Sequence, residues 1–196
     1  MKTHILPLML ATAIIMVLHA FNLQGQSFKV RNYNINVQGT STLHDWNSVI
    51  EKAEVKGTYT VAKNSLTEVK DIVVKIPVVS IKSTKGKTMD NKTYEAFNFE
   101  KYPFIVFTVS KQEINEEKGT IDVKGTLTMA GVSKVISMIA AYKILPDGEL
   151  KITGSKKLLM TDFKMVPPTA MMGTIKVGDE VVVTFDIILT TNNPIL

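Results

Sequence analysis

From Phe28 onward the chain alternates apolar and polar residues with a period of two, the pattern of strands that bury one face and wet the other. Tyr33, Ile35 and Val37 interleave with Asn34, Asn36 and Gln38, and Val55, Gly57, Tyr59 and Val61 interleave with Glu54, Lys56, Thr58 and Thr60. Ile72, Val74, Ile76 and Val78 form the apolar set of the next run, followed by Ile105, Phe107 and Val109, then by Ile121, Val123, Leu127 and Met129. Ile136, Met138, Ala140 and Tyr142 come after, then a weaker run with Leu150, Ile152 and Met160, and finally Val181, Val183, Phe185, Ile187 and Leu189. These runs make about eight strands, the number at which a closed antiparallel barrel has room for its own side chains or one small ligand. Turn signals at Lys63-Asn64-Ser65, Glu116 to Gly119, Ala130-Gly131 and Pro146-Asp147-Gly148 separate them. Connections this short favour antiparallel neighbours, because a parallel crossover needs roughly a dozen residues. Only Thr88 to Phe97 reads as a helix, with Asp90 as its cap and Met89, Tyr94 and Phe97 able to share a face. The expected fold class is all-β: an eight-stranded antiparallel barrel with one short helix in a long loop. Its interior should hold Val74, Ile76, Ile105, Phe107, Met129, Met138, Val183 and Phe185, since a one-residue slip in register would turn every one of them to solvent.

Ahead of the strands, Lys2 and His4 precede an apolar run from Ile5 to Leu18, and small residues follow at Ala20 and in Gly25-Gln26-Ser27. This is the anatomy of a signal peptide over residues 1–27, cleaved between 20 and 27, which leaves one domain over 28–196 and sends it to the periplasm or outside the cell. An uncleaved anchor is the alternative, disfavoured because a membrane span wants about 20 apolar residues and this run is shorter and carries Pro7. The chain has no cysteine. That excludes disulfides, thiol nucleophiles, thiolate metal sites and the acylated cysteine of a lipoprotein.

Removing the leader takes His4 and His19 with it, so His44 is the only imidazole left. Its neighbour Asp45 is too close in sequence to orient it in an extended chain, so no catalytic residue is expected. One histidine and no cysteine also argue against a metal site. Paired carboxylates occur only as neighbours, Glu116-Glu117 and Asp179-Glu180, which a strand splays apart. The net charge of +5 arises almost wholly from lysine, Arg31 being the single arginine. Lysines spread over polar strand faces without aromatic interleaving keep a β protein soluble; they do not make a nucleic-acid surface. A methionine cluster, Met160, Met165, Met171 and Met172, either lines a cavity for a flexible ligand or fills a core.

Five segments then fall into a known order: GTSTLHDW (Gly39 to Trp46), FNFEKYPFIVFTVS (Phe97 to Ser110), VKGTLTMAGVSKVI (Val123 to Ile136), LLMTDFKM (Leu158 to Met165) and VGDEVVVTFDIIL (Val177 to Leu189). In these the chain resembles the YceI-like family of exported lipid-binding proteins, over residues from about Tyr33 to Thr190. The resemblance implies a lipocalin-like barrel holding an extended amphiphile, typically a polyisoprenoid, and no reaction. The bound lipid would be the ligand, with no further cofactor, and a membrane or a membrane protein its donor or acceptor. Ligand contacts are then expected from the interior residues named above and from Trp46, Tyr94, Phe97, Met160, Phe163, Met171 and Met172. Better-known members often carry Arg and His before the KYP motif, where this chain has Asn91, Lys92, Tyr94 and Asn98. The head group therefore does not carry over, and its candidate partners here are His44, Lys82, Lys85 and Lys87. Two readings from other classes stand beside the carrier: an adaptor barrel filled by its own side chains that binds a protein through its loops, and an enzyme using His44. Neither pattern nor resemblance speaks to oligomeric state.

In an eight-stranded meander the odd-numbered connections share one end. Here they are the segments 39–47, 81–102, 130–134 and 162–178, which include all the long ones. They carry Lys82, Lys85, Lys87, Lys92, Lys101, Lys134, Lys164 and Lys176 against Asp45, Asp90, Glu95, Glu100 and Asp162, whereas the opposite connections are net acidic. Long loops belong to functional rims. An anionic head group is thus expected at this end, with Met171 and Met172 as an apolar lid.

Overall fold

The computed structural model describes residues 26–191. The expected leader, residues 1–27, lies outside the described residues but for its last two. The strands are β1 (Gln26–Ser41), β2 (Trp46–Ile50), β3 (Glu54–Ala62), β4 (Ser65–Pro77), β5 (Ile81–Ser83), β6 (Phe104–Asn115), β7 (Thr120–Met129), β8 (Val132–Ile144), β9 (Leu150–Leu159), β10 (Thr169–Ala170) and β11 (Ile175–Thr191). One α-helix, α1 (Lys87–Phe97), stands between β5 and β6, and short 3₁₀ turns cover Val78–Ser80, Thr161–Phe163 and Met171–Gly173.

Sheet order runs β11-β9-β8-β7-β6-β4-β3-β1, all neighbours antiparallel, and β11 pairs back onto β1 from Phe28↔Thr191 to Ser41↔Val177. The barrel is therefore closed and has eight staves. Two staves are each broken once. β2 and β3 run the same way along β1 and are interrupted at residues 51–53, while β5 continues β4 beyond the turn at 78–80 and pairs with β2. Tyr33 spans the first break, its hydroxyl donating to the Glu51 carbonyl at 2.8 Å and accepting the Ala53 N–H at 3.1 Å. At the second, Val78 is wholly buried and donates its N–H to the Pro103 carbonyl, so it packs under the turn and leaves the barrel interior to Ile72, Val74 and Ile76.

Four bulges change which residues face inward, and the fourth, between Thr60↔Glu68 and Val61↔Leu66, brings Leu66 to the closed end. Arg31 is the extra residue of β1 between the pairs Val30↔Leu189 and Asn32↔Ile188, so the inward set passes from even to odd numbers there. In β6 the register shifts between Val109 and Lys111, after which Gln112 points inward. The third faces Gly57, where β4 accommodates an extra residue and Asp71 takes a left-handed φ of 54°. Val69 consequently shares the interior with Ile72. A bulge inserts one residue and so inverts the period-two pattern on one side of itself.

The closed end is sealed by Leu150, Leu66, Tyr59, Ile121 and Leu189, all buried. Arg31 uses its place on the bulge to hold the β8–β9 turn: its Nη1 lies 2.7 Å from the buried carboxylate of Glu149 and 3.5 Å from that of Asp147. At the other end a second cluster, Leu127, Met129, Met160, Phe163, Met165 and Val181, packs beneath the long connections. The four long-loop connections do share this end. Helix α1 starts one residue before the expected position and is capped by Gly86 at φ 90°; Asp90 is not its cap. The Asp90 carboxylate is instead buried and accepts the Ser83 N–H at 2.6 Å, tying α1 to β5.

Gly57 has a φ of +149°, and a Cβ there would lie 2.4 Å from Ile72 Cδ1 and 2.8 Å from the Lys70 carbonyl oxygen. Gly57→Ala is expected to lower stability by about 1–3 kcal/mol, because both the backbone conformation and the space suit only glycine. A urea midpoint equal to that of the parent would contradict the bulge described here.

Candidate functional site

The inward faces of all eight staves enclose a cavity of ≈ 460 Å³, within the range of small-molecule sites. Its wall is almost continuously apolar. Phe28, Ile35, Val37, Val55, Val69 and Ile72 line one side, Ile121, Val123, Leu127, Ile136, Leu158 and Val181 the other, and Tyr59, Leu150 and Leu189 form the floor. The mouth opens at the long-loop end between Leu43 and His44, Lys85, the inner face of α1, and the segment Pro168 to Ala170.

Of the residues expected from the sequence, Trp46, Val74, Ile76, Phe97, Ile105, Phe107, Met129, Met138, Met160, Val183 and Phe185 line this cavity. Four others do not. Tyr94 turns away from it: its hydroxyl donates to the Val79 carbonyl at 2.9 Å, and its ring packs against Phe99. Phe163 is almost wholly buried behind the wall, seated between Met160 and Met165 on a 3₁₀ turn. Met171 and Met172 both have left-handed φ, 48° and 54°, on a tight turn that throws their side chains outward, 74% and 109% exposed. They form no lid.

Among the cationic candidates, Lys85 lines the mouth; Lys87, the first residue of α1, does not. Lys82 is spent on the fold, because its amine donates to the Tyr94 hydroxyl at 2.6 Å and lies 3.8 Å from Asp90. The Tyr94 hydroxyl raises the Lys82 pKa above its ordinary value. Lys92, counted from the sequence among the rim lysines but not among the head-group candidates, lines the mouth and together with Met89, Thr93, Ala96 and Phe97 forms the cavity face of α1. That face was legible in principle, since Met89, Thr93, Ala96 and Phe97 follow helical spacing. Gln112 was hidden by the β6 bulge; its amide donates one of its two N–H groups to the Val69 carbonyl.

His44 sits at the mouth on a turn ordered by Ser41, whose hydroxyl accepts the N–H groups of Leu43 and His44 and donates to the His44 carbonyl at 2.7 Å. Its Nδ1 lies 2.8 Å from the Asp45 carbonyl, so in the neutral ring the proton is on Nδ1 and Nε2 is left as an acceptor. Thr42 fastens this loop to the adjoining β11, its hydroxyl accepting the Lys176 N–H at 3.1 Å and its own N–H donating to the Lys176 carbonyl at 2.9 Å. The Trp46 indole lies over Gly39, where a Cβ would come within 2.4 Å of the ring, and donates to the Thr40 carbonyl at 3.0 Å. Burial pushes the Tyr59 phenol above its ordinary pKa at the floor, opposed by a hydrogen bond with Thr191. Among the described residues, no three His, Asp or Glu side chains gather as metal ligands would.

A closed up-and-down barrel of eight staves with a sealed floor, an apolar interior and one mouth places the protein among the lipocalin-like barrels. Within that class the chain belongs to the YceI-like family, whose domain profile matches residues 22–189. No curated protein is significantly similar to it in sequence. Solved structures share the fold: BcnA of Burkholderia cenocepacia, at 16% identity and TM-score 0.65 over 81% of this chain and 96% of that one; the Campylobacter jejuni YceI protein, at 24% and 0.57 over 74% and 83%; and a polyisoprenoid binding domain from Saccharophagus degradans, at 13% and 0.62 over 85% and 98%.

The turn that seats Phe163 and Met165 depends on Asp179, whose carboxylate accepts the Thr161 N–H at 2.8 Å and the Thr161 hydroxyl at 2.5 Å. These bonds, the hydroxyl first, hold the Asp179 pKa below its ordinary value. A lowered carboxylate pKa contributes stability that is whole above the ordinary value and is lost as pH falls through the lowered one. Protection of the Phe163 and Met165 amides, taken relative to their intrinsic exchange rates, should therefore fall at acid pH in the parent, and in Asp179→Asn should already be low at neutral pH with that acid step gone. An unchanged acid step in the variant would remove Asp179 from this role.

Proposed function

We propose that the protein is a non-enzymatic, exported carrier that holds one long-chain amphiphile, of the isoprenoid class, with its chain in the barrel and its polar end at the mouth. The observation that carries this is the cavity itself, an apolar space reaching from the mouth to Leu150 at the floor. Burial of each CH₂ is worth about 0.8 kcal/mol, so a chain laid along these walls supplies affinity without directed contacts. The Saccharophagus degradans relative, described as polyisoprenoid binding, supports this ligand class. At the mouth, Lys85 and Lys92, the latter in an exposed ion pair with Glu95 at 3.4 Å, offer two amines and His44 a ring nitrogen to an anionic or oxygen-rich head. The leader read from the sequence supports export to the periplasm or beyond, with a membrane as donor or acceptor. An adaptor barrel filled by its own side chains fits poorly with the space inside this one, and among the described residues no second titratable side chain is bonded to His44 with which to move a proton.

Protein purified from its native source, extracted with organic solvent and analysed by mass spectrometry, is expected to yield a stoichiometric long-chain species. Repeated absence of any such species overturns the carrier reading. Phe107→Asp, which places a carboxylate among Ile105, Leu127 and the other apolar walls, is expected to abolish folding or lipid content, at a cost of about 3–5 kcal/mol. Stable, fully loaded Phe107→Asp protein would overturn it as well. Changing Lys85 and Lys92 together to Gln should slow uptake of an anionic lipid and flatten its salt dependence while sparing a neutral one.

A further inference from the structure

The barrel wall is not sealed evenly around its circumference. β8 is paired with β7 all the way to Met129↔Val132, and β9 with β11 all the way to Leu159↔Glu180. Between β8 and β9 themselves the ladder holds from Ile144↔Leu150 to Ala140↔Gly154 and goes no further. Above that point, residues 132–139 and 155–159 face one another without backbone pairing, in a wall where backbone donors and acceptors are ordinarily satisfied by the ladder. Side chains bridge the split instead. The Lys156 amine donates to the Ser137 carbonyl at 2.8 Å, and nearer the rim the Lys134 amine lies 2.6 Å from the Asp162 carboxylate.

Both surfaces of this split carry apolar residues, set beside Lys156 on the inner face and beside Ser133, Ser137, Ser155 and Lys157 on the outer one. Ile136, Met138 and Leu158 border it from inside as part of the cavity lining. Outside, Val135 and Ile139 are each 62% exposed and Leu159 is 42% exposed. Hydrophobic residues normally leave the outer face of a strand to polar ones, and an exposed apolar patch beside an opening marks a place where apolar matter meets the protein. Two long, flexible lysine side chains close the gap, which opens more readily than a strand ladder because no backbone register has to be broken.

We propose that the split between the upper halves of β8 and β9 is a side port for the hydrocarbon chain of the bound amphiphile, latched by Lys156 and by the Lys134–Asp162 pair. The proposal rests on the carrier reading. A chain leaving sideways passes the Lys156 stem and meets Val135, Ile139 and Leu159 outside, without being drawn its full length past Lys85, Lys92 and the α1 face at the mouth.

The chain has no cysteine, so a disulfide can be introduced without competing thiols. Ile139 and Ser155 are the next residues in register above Ala140↔Gly154, and neither lines the cavity. In the full chain carrying Ile139→Cys and Ser155→Cys, the oxidised form is expected to bind cis-parinaric acid to the parent stoichiometry. It should release the acid to phosphatidylcholine vesicles about tenfold more slowly than the reduced form does. Equal release from the two forms overturns the port and leaves the cavity reading intact, whereas failure of the parent to bind cis-parinaric acid removes the cavity reading and the port with it. A second variant needs no disulfide. Lys156→Met should release the acid about fivefold faster than the parent, the loss of one charge-assisted hydrogen bond at the latch, while Lys156→Arg stays near the parent rate. Release from Lys156→Met at the parent rate overturns the proposal.

Discussion

Pairing of β11 onto β1 is the contact on which the rest of this structure depends. It joins the first and last strands described, from Phe28↔Thr191 to Ser41↔Val177, and turns a curled sheet with two long exposed edges into a barrel with none along those strands. Closure also makes the inward face inescapable: every residue on it must fit a space bounded on all sides. Affording that space without a disulfide requires dense packing at both ends, which the Leu150 and Phe163 clusters supply. What lies between them is the cavity. Among the described residues, free edges remain where β8 and β9, and β4 and β6, run on beyond their shared ladders, and on the short strands β5 beside β2 and β10 beside β11, which sit at the mouth.

Alternation carried most of the fold, because it is a direct consequence of the pleat: the strand count, antiparallel order, the loop-rich end and most of the inward set follow from it. It failed at the bulges, and for one reason. A bulge is set by a local backbone event, such as Asp71 entering the left-handed region opposite Gly57, and nothing in a hydropathy pattern marks where one residue is skipped. Val69 and Gln112 were therefore missed as inward residues although the strands that carry them were foreseen. Asp90 illustrates a different limit. An acidic residue in the first turn of a helix reads as a cap, but tertiary contact with the Ser83 amide claimed its carboxylate first.

For the cavity the divide runs between wall and rim. Wall residues are fixed by register, so Ile105, Phe107, Val183 and Phe185 could be placed from sequence alone. Rim residues sit on turns, where direction depends on φ and ψ at single positions. Met171 and Met172 have the chemistry of a lid, but their left-handed backbone points them into solvent. Lys82 has the chemistry of an anion partner, but Tyr94 and Asp90 already hold it. Composition could not distinguish it from Lys85, three residues on, whose side chain borders the mouth.

These two zones imply different kinds of recognition. The walls are built from Val, Ile, Leu, Met and Phe, whose attraction for a ligand is proportional to apolar area and carries no direction, so they select for length and cross-section and not for a functional group. Met129, Met138 and Met160 sharpen this, since a flexible thioether adapts to chains of differing shape instead of demanding one. The rim offers directed groups, but two of the three are lysines, whose long stems let an amine follow a phosphate, a carboxylate or a sulfate with little loss. Arginine would impose a fixed fork on its partner, and the chain's single arginine is committed to Glu149 at the opposite end of the barrel. On the carrier reading, discrimination comes from the shape of the space along the staves, with the head group setting how quickly a ligand arrives more than whether it stays.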